Sequence, residues 1–116
     1  PAPQQECYKA QVANGTRLWQ QGNLEEAAVL FRKAITGLEK ISGPKDTLVL
    51  SAQHNLGLVL LAQGQVAESK QYIKAARRGF AEMLGPEHAF TLKAAHNEAL
   101  VAQKEGRITE ACGRYE

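Results

Sequence analysis

GPKDTLVLSAQHNLGLVLLAQGQVAE, residues 43–68, returns forty-two positions later as GPEHAFTLKAAHNEALVAQKEGRITE, residues 85–110. Gly43-Pro44 falls on Gly85-Pro86, His54-Asn55 on His96-Asn97 and Gly64 on Gly106; one period earlier, Gly64 falls on Gly22. Three glycines at one spacing make the chain an array of a single unit. A period between about twenty and fifty residues belongs to solenoids, in which each unit buries its apolar face against its neighbours.

Working outward, each unit reads as two helices. Residues 4–20 hold Tyr8, Val12, Ala13, Leu18 and Trp19 among polar residues, and Gln21-Gly22-Asn23 is a turn. Asn23 is a candidate N-cap for a second helix, with Glu25 and Glu26 in the first turn, where they favour the helix dipole. Its stripe of Leu24, Ala27, Ala28, Phe31, Ala34, Ile35 and Leu38 has the three-and-four spacing of an amphipathic helix. Gly43-Pro44 ends it, and Asp46 or Thr47 can cap the third. That helix is apolar nearly all round, as a central helix covered on several sides must be. The fourth carries Val66, Tyr72, Ile73, Ala76, Phe80 and Met83, with Lys70, Lys74, Arg77 and Arg78 read as a solvated, ion-paired face. A fifth runs to Lys104, Glu105-Gly106-Arg107 turns, and a sixth begins at Ile108. Gly15 costs its helix about 1 kcal/mol against alanine, but its counterparts are Gly57 and Ala99, so a close helix crossing is expected there.

The expected fold is all-α: a right-handed superhelical α-solenoid of three antiparallel helix-turn-helix repeats, near residues 4–43, 44–85 and 86–116, with the sixth helix truncated. At 116 residues this is one domain. Tyr115-Glu116 stops inside a helical pattern, as a piece of a longer array would. Fourteen Lys+Arg against twelve Asp+Glu gives no case for nucleic acid. No run has the roughly 18 apolar residues of a membrane span, and residues 1–6, PAPQQE, lack the parts of a signal peptide. Cys7 and Cys112 sit in the first and third units, too far apart to bridge, and read as free thiols of a reducing, cytoplasmic setting.

Leu56-Gly57 and Leu60 before the turn, and Ala27-Phe31-Ala34 after it, fall where tetratricopeptide repeats carry their Leu-Gly, aromatic and Ala-Phe-Ala positions. The chain therefore resembles a tetratricopeptide array over nearly its whole length. The forty-two-residue unit, with Leu84-Gly85-Pro86-Glu87-His88, Thr91-Leu92, Asn97, Gly106 and Glu110-Ala111, is similar to the kinesin-light-chain-like variety. Two positions depart from the pattern: Glu98 stands at a leucine position, and Ala13 where the other units have Asn55 and Asn97.

In such an array the first helices of the units line a concave groove. One face of the third helix collects Ser51, His54, Asn55, Leu58, Leu61 and Ala62. The same offsets give Lys9, Val12, Ala13, Thr16, Trp19 and Gln20 in unit one, and Lys93, His96, Asn97, Leu100, Gln103 and Lys104 in unit three. Asparagine can hydrogen-bond a peptide backbone through both amide groups, while apolar pockets take alternate side chains. The resemblance implies that role for Asn55 and Asn97. Lys9, Lys93 and Lys104 favour acidic ligands modestly. The competing reading makes Leu58, Leu61, Leu100 and Trp19 core, and the asparagines and histidines surface groups. His54 and His96 lack a carboxylate or thiol on their face, so no metal or other cofactor is expected. The face also lacks the lysine, asparagine and arginine set of a two-carboxylate clamp. Nothing assembles as a catalytic site. A non-enzymatic protein-binding adaptor is the leading expectation, and a self-assembly module using the convex face or the array ends is the alternative.

Overall fold

Four glycines set where the chain reverses. The computed structural model describes the backbone of residues 3–114 and the side chains of residues 6–107. It contains α1 (Pro3–Gln20), α2 (Leu24–Ser42), α3 (Thr47–Ala62), α4 (Val66–Leu84) and α5 (Ala89–Arg114), with no strand among the described residues. Gly22 and Gly64 turn each hairpin at φ of 87° and 84°, a left-handed conformation that costs any other residue type. The helix starts after the Gly-Pro loops are closed by side chains one period apart. Asp46 Oδ1 accepts the Leu48 N–H at 2.8 Å, and His88 Nδ1 accepts the Phe90 N–H at 3.1 Å. Asn23 makes no such bond, so α2 starts without a side-chain cap.

The chain stacks as hairpin α1–α2, hairpin α3–α4 and then α5, in a body of 55 × 32 × 21 Å. Within the hairpins, α1 meets α2 and α3 meets α4 through reciprocal large-to-small contacts. A Cβ built on Gly15 would lie 2.9 Å from the Phe31 ring, and one on Gly57 2.5 Å from Ile73 Cγ1. Tyr8 likewise fills the space above Gly37, and Leu50 the space above Gly79. The close crossing expected from the small residues is present. Between hairpins, Val49, Ala52, Leu56 and Leu60 of α3 join Phe31, Ile35 and Leu38 of α2 in one buried cluster. α3 is apolar all round because it touches α1, α2 and α4.

The next junction is more polar. Glu98, the departure from the leucine pattern, pairs with Arg77 of α4; one period earlier those positions are Leu56 and Ile35, both in the buried cluster. Both partners of the junction have changed together. Lys70 bonds Glu105 at 2.9 Å, so two of the four cations read as a solvated face instead bind α5. Thr91, 4% exposed, donates to the Gly85 carbonyl at 2.8 Å, and Ala94 and Val101 complete the apolar contact.

One expectation is corrected. The chain does not turn at Glu105-Gly106-Arg107 to begin a sixth helix; α5 runs straight through Gly106 to Arg114. Gly106 has no positive φ, unlike Gly22 and Gly64. The reversal at Gly64 is sustained by the 19 residues of α4 packing back on α3. Among the described residues no second helix packs back on α5, and a helix already nucleated propagates. The side chains of Ile108, Ala111 and Tyr115, expected to form the stripe of that helix, lie outside the described residues, as does that of Cys112. Cys7 is exposed and free.

Candidate functional site

α1, α3 and α5 each contribute residues to one open groove, at positions forty-two apart. The rung Lys9, Ser51, Lys93 begins the ladder expected from the sequence. The structure adds an earlier one, Glu6, Leu48 and Phe90, one turn nearer the helix starts. Together with Asp46 and Thr47, residues Glu6, Lys9, Leu48, Ser51 and Phe90 line an open groove of about 500 Å³. Carrying the same offset three residues toward the N terminus would have revealed this rung. The large exposed residue Phe90, 49% accessible, packs tilted against Phe80 at 5.6 Å between ring centroids.

Deeper along the face, the two histidine–asparagine pairs behave differently. His54 is buried, and its Nε2 lies 2.9 Å from Nδ2 of Asn97, with the amide donating to the ring nitrogen. Burial holds the His54 imidazole below the ordinary histidine value, and the Lys93 ammonium pushes it the same way. A neutral ring is what the Asn97 amide requires. Asn97 is therefore part of the α3–α5 junction and keeps only its remaining amide atoms for a ligand. Asn55 has Val12 in place of His54 one unit earlier, and no other described residue bonds its amide. His96 is exposed, and among the described residues no group of three metal-binding side chains occurs.

The apolar candidates divide as well. Leu58 and Leu61 are partly buried against Val66, Ile73 and Val101, and Trp19 packs on the first core cluster. They contribute edges of the face, with much of each side chain in the core. Leu100 is 45% exposed and open. Lys9, Lys93 and Lys104 are exposed and form no ion pair with another described residue. The ion pairs seen among the described residues lie elsewhere. Arg32 meets Glu68 at 2.8 Å, an interaction that raises the Arg32 pKa, and sits over the Tyr72 ring at 6.0 Å. Among the described residues, no helix is long and apolar enough to cross a membrane.

The sequence profile of the tetratricopeptide repeat matches twice, over residues 8–81 and 48–116. The chain belongs to the tetratricopeptide repeat family. The crystal structure of BtubC (BKLC) from P. vanneervenii is similar in fold, with a TM-score of 0.80 and 13% identity over 84% of this chain and 39% of that one. This tetratricopeptide chain thus spans about two fifths of that neighbour, and the likeness is one of architecture. It agrees with the kinesin-light-chain-like variety of repeat. None of the curated proteins compared with the chain matches it. Tetratricopeptide repeats mediate protein–protein interactions and are typically non-enzymatic scaffolds.

Proposed function

We propose that the chain is a non-enzymatic adaptor that takes an extended peptide or a partner helix across α1, α3 and α5. On this reading that face is the concave side of a right-handed superhelix of three repeats, residues 4–43, 44–85 and 86–116. The observation that carries the proposal is the groove spanning three helices at equivalent positions, where an apolar rung of Leu48 and Phe90 lies beside Lys9 and Ser51. Asn55, whose amide bonds no other described residue, is the backbone-binding residue, and Asn97 acts through its remaining atoms beside His54. Leu100, His96, Leu58, Leu61 and Trp19 border the path, and Lys9, Lys93 and Lys104, which form no ion pair among the described residues, favour acidic partners. The setting is cytoplasmic.

Selection from a random dodecapeptide phage library, followed by anisotropy titration of the winners, tests this. Asn55→Ala with Lys9→Ala weakens the selected peptides by about tenfold or more, equivalent to one or two lost hydrogen bonds, with helicity unchanged. Peptides that bind the double variant as tightly as the parent chain overturn the proposal.

The alternative reading, self-assembly through an array end, rests on an open hollow of about 400 Å³ at the α1–α2 edge, lined by Leu18, Val29 and Leu30 with Glu25 and Glu26. It requires mass to rise with concentration in sedimentation, and Val29→Asp to abolish the rise.

A further inference from the structure

The Asn97 amide is held at one end and open at the other, and what holds it is a titratable ring. His54 of α3 is 7% exposed, and its Nε2 lies 2.9 Å from Nδ2 of Asn97 on α5. An amide nitrogen only donates, so the ring nitrogen facing it is bare and the imidazole proton sits on Nδ1. With Nδ2 committed in this way the amide plane is set, and Oδ1 and the second N–H are what Asn97 has left for other partners. One unit earlier, the same step of 43 residues pairs Asn55 with Val12, which can neither donate nor accept. Asn55 can therefore turn its amide to suit a ligand, whereas Asn97 presents the atoms that His54 leaves it.

A proton on Nε2 reverses the arrangement. Two donors then face each other, and a buried donor without an acceptor costs more than the bond contributed. A half turn of the Asn97 amide about χ2 exchanges its oxygen and nitrogen. Oδ1 then accepts from the imidazolium, and both N–H groups point away from the ring. The ring resists that proton, because burial disfavours its charged form and the Lys93 ammonium of α5 repels it; no described group of α1, α2 or α4 acts on it through its charge. The resting arrangement is thus the neutral ring with Oδ1 presented.

We propose that His54 is the positioning residue of the groove of α1, α3 and α5: its neutral ring sets Asn97 to accept a backbone N–H from a bound peptide, and its protonation turns Asn97 into a donor. The groove then reads its ligand differently on the two sides of the His54 titration. This inference rests on the peptide-binding reading of that groove. A ligand whose N–H is bonded to Oδ1 in turn keeps the ring neutral, since the two events are linked.

Two measurements separate the latch from the ligand. In the isotope-labelled whole chain, long-range proton–nitrogen NMR follows the His54 ring, and the side-chain amides of Asn97 and Asn55 are followed alongside it as pH falls from about 7.5. A bare Nε2 at the start is expected, with Asn97 amide shifts that move at the His54 midpoint while those of Asn55 stay still. His54→Gln places an amide oxygen where Nε2 stood and does not titrate, so it holds the Asn97 signals constant. A protonated Nε2 at the start, or an Asn97 amide indifferent to the His54 titration, overturns the proposal whatever the groove binds. The second probe is a set of dodecapeptides selected at about pH 7.5, free of Asp, Glu and His and amidated at the C terminus, so that their own charge is constant. They bind the parent chain about three- to tenfold more weakly once NMR shows His54 charged, as loss of one hydrogen bond requires. His54→Leu is weaker by a similar factor already at about pH 7.5, and His54→Gln stays within about twofold of the parent there; both lose the pH dependence. Parent affinity that is the same on both sides of the titration overturns the proposal even with the latch intact. If no peptide is selected, the groove reading falls and pH-dependent recognition falls with it, while the ring and amide signals still report on the latch.

Discussion

Replacing Gly57 by alanine measures how tightly α3 and α4 are pressed together. Taken alone, the change favours the helix by about 1 kcal/mol. Against that, the new methyl would lie 2.5 Å from Ile73 Cγ1 and 3.3 Å from the Ser69 carbonyl oxygen. Carbon pairs rest at about 3.5–4.0 Å, so Ile73 must withdraw by roughly 1 Å or the helices must part. Overpacking of this kind costs about 1–3 kcal/mol. Parting also stretches the 2.6 Å bond from Ser69 to the Gly57 carbonyl, which contributes about 1 kcal/mol. The steric side wins, and Gly57→Ala destabilises by about 1–2 kcal/mol in urea unfolding followed by circular dichroism. Gly106→Ala is the internal control. It lies within α5, without a positive φ and with nothing within 4 Å of the added carbon, so the same mutation stabilises by about 1 kcal/mol. Adding Ile73→Val to Gly57→Ala recovers part of the loss. If Gly57→Ala stabilises as Gly106→Ala does, the close-packing account of the hairpin is wrong.

Three further outcomes are expected. Glu98→Leu strands Arg77 and costs about 1 kcal/mol, whereas Arg77→Ile with Glu98→Leu recreates the Ile35 and Leu56 junction and is at least as stable as the parent chain in the same unfolding assay. By contrast Lys45→Ala, which breaks a pair to Glu82 whose side chains are 64% and 57% exposed, shifts stability by less than about 0.5 kcal/mol. Because the folded His54 pKa lies below the unfolded value of about 6.5, the unfolded chain takes up the proton first. Stability from this group is whole above that value and falls as pH drops below it, so urea midpoints decline between about pH 7 and 5, and His54→Leu makes the decline shallower.

The alternation of helices, the two hairpin turns and the close crossings were legible because repetition supplied three readings of each position. Gly15, Gly57 and Ala99 argue for a crossing together where a lone Gly15 would argue only for a weak helix. The turn at Gly106 was misread for the same reason: its counterparts turn because a long second helix packs behind them, and a glycine by itself does not oblige a reversal. Asn97 was expected to face a ligand, and its bond to His54 is invisible to a ladder of equal offsets. Their separation of 43 is one more than the period, the step that joins neighbouring first helices. At the previous junction the same step joins Val12 to Asn55, which explains why the two asparagines differ in availability.

The two junctions of the stack respond oppositely to the solution around them. The α2–α3 joint is an apolar cluster, which excluded solutes such as sulfate strengthen. The α4–α5 joint leans on Arg77 with Glu98 and Lys70 with Glu105, pairs that mobile ions weaken. Rising sodium chloride therefore loosens α5 first, and since α5 forms one wall of the groove holding Phe90, the width of that groove becomes a function of ionic strength. A ligand that bridges α3 and α5 restores the joint from the other side, so its binding and the ordering of α5 are thermodynamically linked.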